Sequence, residues 1–230
     1  MRFGFGALLL GTVTCLAGVG LVASKRSVQF TSDTGDGVVL SGPDKPSIDV
    51  DLTHEEIIRK VRWSSPPKLS AFLVRNRPSQ HVLHLMLTQA ICRKKTGLVE
   101  VLAGQGLDLE HCVKGSLTPL GYAVETMDIP MIRLLLEKGA LINGPDKSGC
   151  TALHIAVDTE VEMAYYEEDT RRKPHEPRCD LCLFLLQAGA DCEIRNHQGK
   201  SPLDWAIERK HAAAVSAMTA HLTRKDRSDG

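Results

Sequence analysis

Three short stretches in the second half of this chain repeat one another. Thr118-Pro119-Leu120 returns as Thr151-Ala152-Leu153 after 33 residues, and as Ser201-Pro202-Leu203 after a further 50. Leu134-Leu135-Leu136-Glu137-Lys138-Gly139-Ala140 returns as Phe184-Leu185-Leu186-Gln187-Ala188-Gly189-Ala190. The longer step is the same period with a 17-residue insertion. A fixed period of this kind marks a stacked architecture. Each unit is too small to bury its own apolar face, so it relies on its neighbours for a core.

The repeated residues suit helix-turn-helix units. Thr118, Thr151 and Ser201 stand where a hydroxyl caps an inner helix. Pro119 and Pro202 fall at the first helical position, where the missing N–H costs nothing. Leu120, Leu153 and Leu203 are expected between helices. Ala123, Ala156 and Ala206 are small enough for inner helices to approach closely. Gly139 and Gly189 are placed to end outer helices in a left-handed turn. An earlier, degenerate unit is visible: Leu87, Ala90 and Gly106 precede Leu120, Ala123 and Gly139 by one period. Its outer helix is expected over 96–104.

The period of 33 and the T-P-L-H-x-A pattern resemble the ankyrin-repeat family over about Gln80 to Leu222. The resemblance implies an all-α ankyrin-repeat solenoid of about four units spanning 79–222, with short hairpin loops. His154 is the histidine that fits the family pattern in the three clear units. Gly121 and Asp204 replace it in the others, which questions the Thr–His hydrogen bond there. Ahead of the repeats, 53–78 reads as a helical N-terminal cap. Thr53-His54-Glu55-Glu56 is a capping box, Ile57, Ile58, Val61 and Trp63 form an apolar side, and Leu69, Phe72, Leu73 and Val74 supply a second short helix. A charged tail, 223–230, closes the chain.

The first 26 residues form a separate unit. Phe3 to Ala23 carries no charge over 21 residues, with Arg2 before it and Lys25-Arg26 after it. That length spans a bilayer as a helix, and the pattern also matches a signal peptide cleaved after Gly20. Cys15 sits in a poor lipobox. Both main readings predict export or membrane attachment, in the periplasm or cell envelope if the source is bacterial. If the segment stays uncleaved, residues 3–23 meet the membrane. Residues 27–52, rich in Ser, Thr, Asp, Gly and Pro, read as a flexible linker.

Lysine plus arginine and aspartate plus glutamate balance at 28 each, and aromatics are 4%. This balance gives no footprint for nucleic acid, and so few aromatics offer no base-stacking platform. There is no G-x-S-x-G, glycine-rich phosphate loop or H-E-x-x-H. The expectation is a non-enzymatic chain with no cofactor and no resident metal.

Two features stand outside the repeat pattern. The insertion, about 158–178, is acidic first and basic afterwards, with Tyr165 and Tyr166 among the acidic residues and Arg171 and Arg172 behind them. Tyr and Arg are common anchors of interfaces. Cys179 and Cys182 form a C-x2-C pair near a helix start, with His175 and Cys192 nearby. Repeat alignment matches Cys179, Cys182 and Cys192 to Ile129, Ile132 and Ile142, which favours core packing. A Cys179–Cys182 disulfide, a thiol redox pair or a metal site are the alternatives.

Members of the ankyrin family bind partners through their inner helices and hairpin tips. The resemblance therefore implies a protein-binding module whose contact residues are Glu125, Met127, Asp128, Lys147, Asp158, His197, Gln198, Glu208, Arg209 and His211, and the residue types of the insertion add Tyr165, Tyr166, Arg171 and Arg172. Joint charge reversal at Asp128, Asp158 and Arg209 is expected to abolish binding without unfolding the stack. Export suits a protein that inhibits or scaffolds another. An immunity protein neutralising a toxin aimed at the bacterial envelope is one version. A eukaryotic membrane anchor with repeats facing the cytosol is another.

Overall fold

The computed structural model describes residues 52–112, 117–171 and 177–228, without the side chains of 54, 166–171, 226 and 228. The apolar N-terminal segment, most of the linker, Arg172 and His175 lie outside these residues. Among the described residues the secondary structure is helical, without strands: α1 His54–Trp63, α2 Pro66–Asn76, α3 Gln80–Cys92, α4 Thr96–Ala103, α5 Pro119–Glu125, α6 Ile129–Glu137, α7 Ala152–Arg171, α8 Asp180–Gln187, α9 Pro202–Glu208 and α10 Ala212–Ser228. None of these is long and apolar enough to cross a membrane.

The helices stack in two layers. Inner helices α3, α5, α7 and α9 pack in sequence, while α4 packs on α6 and α8 on α10. Helices α1 and α2 continue this order at the N-terminal end, α1 against α3 and α2 against α4. The contacts between layers are apolar: Leu87, Leu120, Leu135 and Leu153 are buried, as are Ala123, Ala156 and Ala206 where inner helices meet. Burial of such side chains is the main stabilising contribution in a stack of this kind.

The caps explain where the helices begin. Thr118 Oγ1 accepts from the Gly121 N–H at 3.1 Å. Ser201 and Asp204 form a reciprocal pair, with Asp204 N–H on the Ser201 hydroxyl and Ser201 N–H on the Asp204 carboxylate, both at 3.1 Å. Asp204 thus fills the role that His154 has one unit earlier. At Gly121 the absence of a side chain leaves room for Ile155, whose Cδ1 would lie 2.9 Å from a Cβ there. Thr53 and Glu56 form the expected capping box on α1.

The turn from inner to outer helix has its own signature. Lys94, Met127 and Lys210 occupy the same place in three units, and each has a left-handed backbone, with φ of 54°, 52° and 59°. Amides of the next residues then close back on the inner helix, as in Asp128 N–H to the Ala123 carbonyl and His211 N–H to the Ala206 carbonyl. This is a C-terminal helix closure built without glycine. Gly139 and Gly189 end outer helices with φ of 97° and 94°.

Two expectations at the N-terminal end need correction. Trp63 and Val74 lie outside the apolar contacts, three-quarters exposed. Trp63 is the last residue of α1, and only Ile57 and Val61 of that helix are fully buried. Phe72 is half-buried, with the Lys60 ammonium 3.9 Å from its ring centroid.

Candidate partner-binding face

The hairpin tips between units are set by one polar side chain each. Asp146 Oδ1 accepts from the Ser148 and Cys150 amides at 2.7 and 2.9 Å. Asn196 Oδ1 accepts from Gln198 and Lys200 at 2.9 and 3.1 Å. Backbone bonds Asp146 N–H to Cys150 O and Asn196 N–H to Lys200 O close each tip. The two tips are then bonded to each other through His197 N–H to the Ser148 carbonyl at 3.0 Å. Lys147, His197 and Gln198 project from these tips and are exposed.

His154 ties the inner helix to the next tip. Its Nδ1 accepts from the Thr151 N–H at 3.1 Å and lies 3.0 Å from the Thr151 hydroxyl, while Nε2 faces the Lys200 carbonyl at 3.0 Å. These contacts need a neutral ring with its proton on Nε2. Burial holds the imidazole below its ordinary range, against the opposing pull of the Lys200 carbonyl. A histidine depressed in the folded state contributes stability above its unfolded value, near pH 6.5, and loses that contribution as pH falls toward its folded value. Urea midpoints of the wild type are therefore expected to fall below about pH 6.5 more steeply than those of His154→Gln. Parallel profiles for the two proteins would refute this role.

The third unit departs from its neighbours. Where α5 and α9 stop after seven residues, α7 runs for 20. The first part of the insertion is thus a continuation of the inner helix rather than a loop. Its buried stripe follows helical spacing: Leu153, Ala156, Val157, Glu160, Val161 and Ala164. This extension forms one wall of a groove of about 190 Å3 lined by Met127, Ile129, Met163, Ala164 and Leu181, with Arg178, Asp180 and Glu160 as its polar members.

Three carboxylates on the inner helices α5 and α7, Glu125, Glu162 and Asp158, interact by charge. Surrounding protein partly desolvates the Glu125 carboxyl, although the residue keeps solvent access, and raises it above its usual range, and the charge of Glu162 adds to it. Glu162 is raised in turn by partial burial and by Asp158. Asp158 is also raised by burial, though Trp205 and Arg209 pull it down. The Trp205 indole N–H donates to Asp158 Oδ1 at 2.8 Å, and Arg209 Nε lies 2.9 Å from the same oxygen. The guanidinium of Arg209 and the ammonium of Lys200 flank the Trp205 ring at 5.5 and 5.4 Å. Lys200 also pairs with Glu208.

The polar network behind the groove is buried. Glu160 is 4% exposed and His211 fully buried. Glu160 Oε1 accepts from the Leu181 N–H at 2.6 Å and, more weakly, from Cys182 N–H at 3.4 Å. Its Oε2 lies 3.0 Å from His211 Nε2, and His211 Nδ1 accepts from the Ala214 N–H at 3.3 Å. Glu160 thus caps α8, whose own N-cap residue, Cys179, makes no side-chain cap bond. His211 caps α10. The thiols of Cys179 and Cys182 lie at the same helix start. A bond from the Cys182 thiol pulls Cys179 below its ordinary range, while the same bond and burial push Cys182 well above.

The expected contact residues therefore divide. Glu125, Met127, Tyr165 and Glu208 are exposed, Tyr165 at 68%. The side chains of Tyr166 and Arg171 lie outside the described residues. Asp128 is a cap, accepting from the Met131 N–H at 3.1 Å, and Asp158 and Arg209 are paired with each other. Reversing those three charges would remove a helix cap and the indole contact, so it would not test binding alone. His211 is not on the surface, because its ring closes the start of α10 and meets Glu160 inside the stack. Cys179 and Cys182 are free thiols, as are the other four described cysteines. Met163, Trp205 and Glu160 were not expected in the site. The helical spacing of Glu160 from Leu153 and Ala156 was the available signal for it.

Comparison with known proteins agrees with this geometry. Residues 87–166 match the family described as ankyrin repeats (3 copies). An ankyrin repeat protein of fowlpox virus (strain NVSL) is 26% identical over 167 residues, covering 62% of this chain and 49% of the viral one. The human ankyrin repeat and KH domain-containing protein 1 is 33% identical over 118 residues, covering 50% of this chain and 4% of that one. An ankyrin repeat protein of Rickettsia felis (strain ATCC VR-1525 / URRWXCal2) is 29% identical over 109 residues, covering 44% and 28%. The chain thus spans about half of the viral relative and a small part of the human one.

Proposed function

We propose that this chain, an ankyrin-repeat protein, binds a partner protein in the groove between Met127 and the extension of α7, and that it inhibits or scaffolds that partner. The fold is generally a non-enzymatic protein-binding one. The observation that carries the reading is the groove together with the three carboxylates of the inner helices. Its apolar part is Met127, Ile129, Met163 and Leu181, and Glu125 and Glu162, close in sequence to Met127 and Met163, are coupled by charge to each other and, through Glu162, to Asp158. Methionine adapts to irregular apolar surfaces. Carboxylates raised by burial gain from a cation brought beside them. The partner segment that fits carries an apolar anchor flanked by lysine or arginine. The uncharged run Phe3 to Ala23 supports the further reading that the module works outside the cytoplasm or at a membrane.

The test is affinity capture by the full-length protein from its native cells in mild detergent, in parallel with a Met127→Asp/Met163→Asp variant. One stoichiometric protein should be recovered by the wild type. The variant should bind it at least about 30-fold more weakly, the loss expected when hot-spot side chains are replaced, and should keep the wild-type circular dichroism. Equal capture by both proteins would overturn the groove as the binding site.

A further inference from the structure

We propose that Glu160, Cys179 and Cys182 bind a thiophilic divalent cation, zinc foremost, which clamps the extension of α7 to the start of α8. Their ligand atoms, one carboxylate oxygen and two sulfurs, already lie within 4.8 Å of one another. Around a tetrahedral zinc, with metal–sulfur and metal–oxygen distances of about 2.3 and 2.1 Å, such atoms stand roughly 3.5–4 Å apart. A small closure by side-chain rotation therefore completes the set. Sulfur ligands select zinc over magnesium or calcium.

The surroundings favour the site beyond the three ligands. Cys179 is the N-cap of α8 and Cys182 lies in its first turn, so both thiols stand at one helix start with the Glu160 carboxylate. Glu160 is held in place from two sides, by the Leu181 N–H and by His211 Nε2. An outer partner of this kind orients a ligating carboxylate. Glu160 and Cys182 are buried, whereas Cys179 is half-exposed. The fourth coordination position therefore opens toward Cys179 and solvent, and water fills it. Binding forms two metal–sulfur bonds and one metal–oxygen bond, and the two thiol protons leave to solvent. Affinity therefore rises with pH.

The site shares Glu160 with the groove, but metal uptake does not depend on a bound partner. In the second unit the positions of Cys179 and Cys182 carry Ile129 and Ile132, so simple packing is the competing account. Oxidation of the pair to a disulfide is the other.

The full-length chain, reduced with a phosphine and stripped with a chelator, would be titrated with zinc against a chromophoric chelator. Cobalt(II) would then be used to read the ligands. One equivalent of zinc and an intense sulfur-to-cobalt charge-transfer band are expected. Cys179→Ser should lower affinity at least about 100-fold, beyond the loss typical of outer partners, with an unchanged urea midpoint, because serine is a favoured N-cap. Cys92→Ser, at an exposed cysteine, should bind as the wild type does. Overturning results would be zinc uptake by the wild type no greater than by Cys179→Ser, a cobalt spectrum without the sulfur band, or loss of two hydrogens by mass without metal uptake.

Discussion

Glu160→Ala is expected to destabilise the protein by about 3–5 kcal/mol, read from urea denaturation of reduced, chelator-treated protein. The carboxylate is 4% exposed and serves three groups at once. Its loss strands the Leu181 N–H and the His211 Nε2 in the interior, each costing roughly 1–3 kcal/mol, and weakens the Cys182 contact. It also leaves a cavity at the buried face of α7, because alanine keeps only the Cβ of the glutamate side chain. Glu160→Gln should cost about half as much. Its carbonyl oxygen still accepts from Leu181, but its amide then faces His211. Hydrogen exchange should locate the damage in the first turns of α8 and α10, with α3 to α5 protected as before. A loss below about 1 kcal/mol for Glu160→Ala would show that water replaces the carboxylate at both ends of the network.

The same residue shows where sequence reasoning stops. The caps at Thr118 and Ser201, the prolines at the start of α5 and α9, and the glycines after α6 and α8 are local features. Each follows from a handful of neighbouring residues, so the repeat units were legible. The start of an outer helix is legible in the second unit for the same reason, since Asp128 caps its own helix. In register, the third unit carries Arg178 there and the fourth His211. Arginine has no acceptor, so α8 takes its cap from Glu160, 21 residues away. A run of acidic residues looks solvated in sequence, and only the helical spacing from Leu153 singles one of them out. His211 looked unpaired because its partner lies 51 residues back. The groove is not legible because nothing in the sequence fixes how far the insertion prolongs α7, and that length builds its wall.

Gly149→Ala is expected to cost about 2–4 kcal/mol, and Gly199→Ala only about 1. Both glycines close hairpin tips in the left-handed region, at φ of 77° and 75°. The backbone penalty for alanine is therefore nearly shared. The surroundings differ. A Cβ on Gly149 would stand 2.8 Å from the His197 backbone nitrogen and 3.2 Å from the Asn196 carbonyl carbon, whereas nothing lies within 4 Å at Gly199. The obstacle at Gly149 is backbone, which cannot rotate away as a side chain can. Relief requires the two tips to separate, and that strains the His197 N–H bond to the Ser148 carbonyl. The excess of the first substitution over the second thus measures the coupling between neighbouring tips. Equal losses would mean that the tips part freely. In a stack held only by contacts between neighbours, the tips would then be independent loops, and the face formed by Lys147, His197 and Gln198 would not hold one shape. An excess of 1 kcal/mol or more would instead mark the tips as a preorganised surface, which lowers the entropy cost of binding a partner.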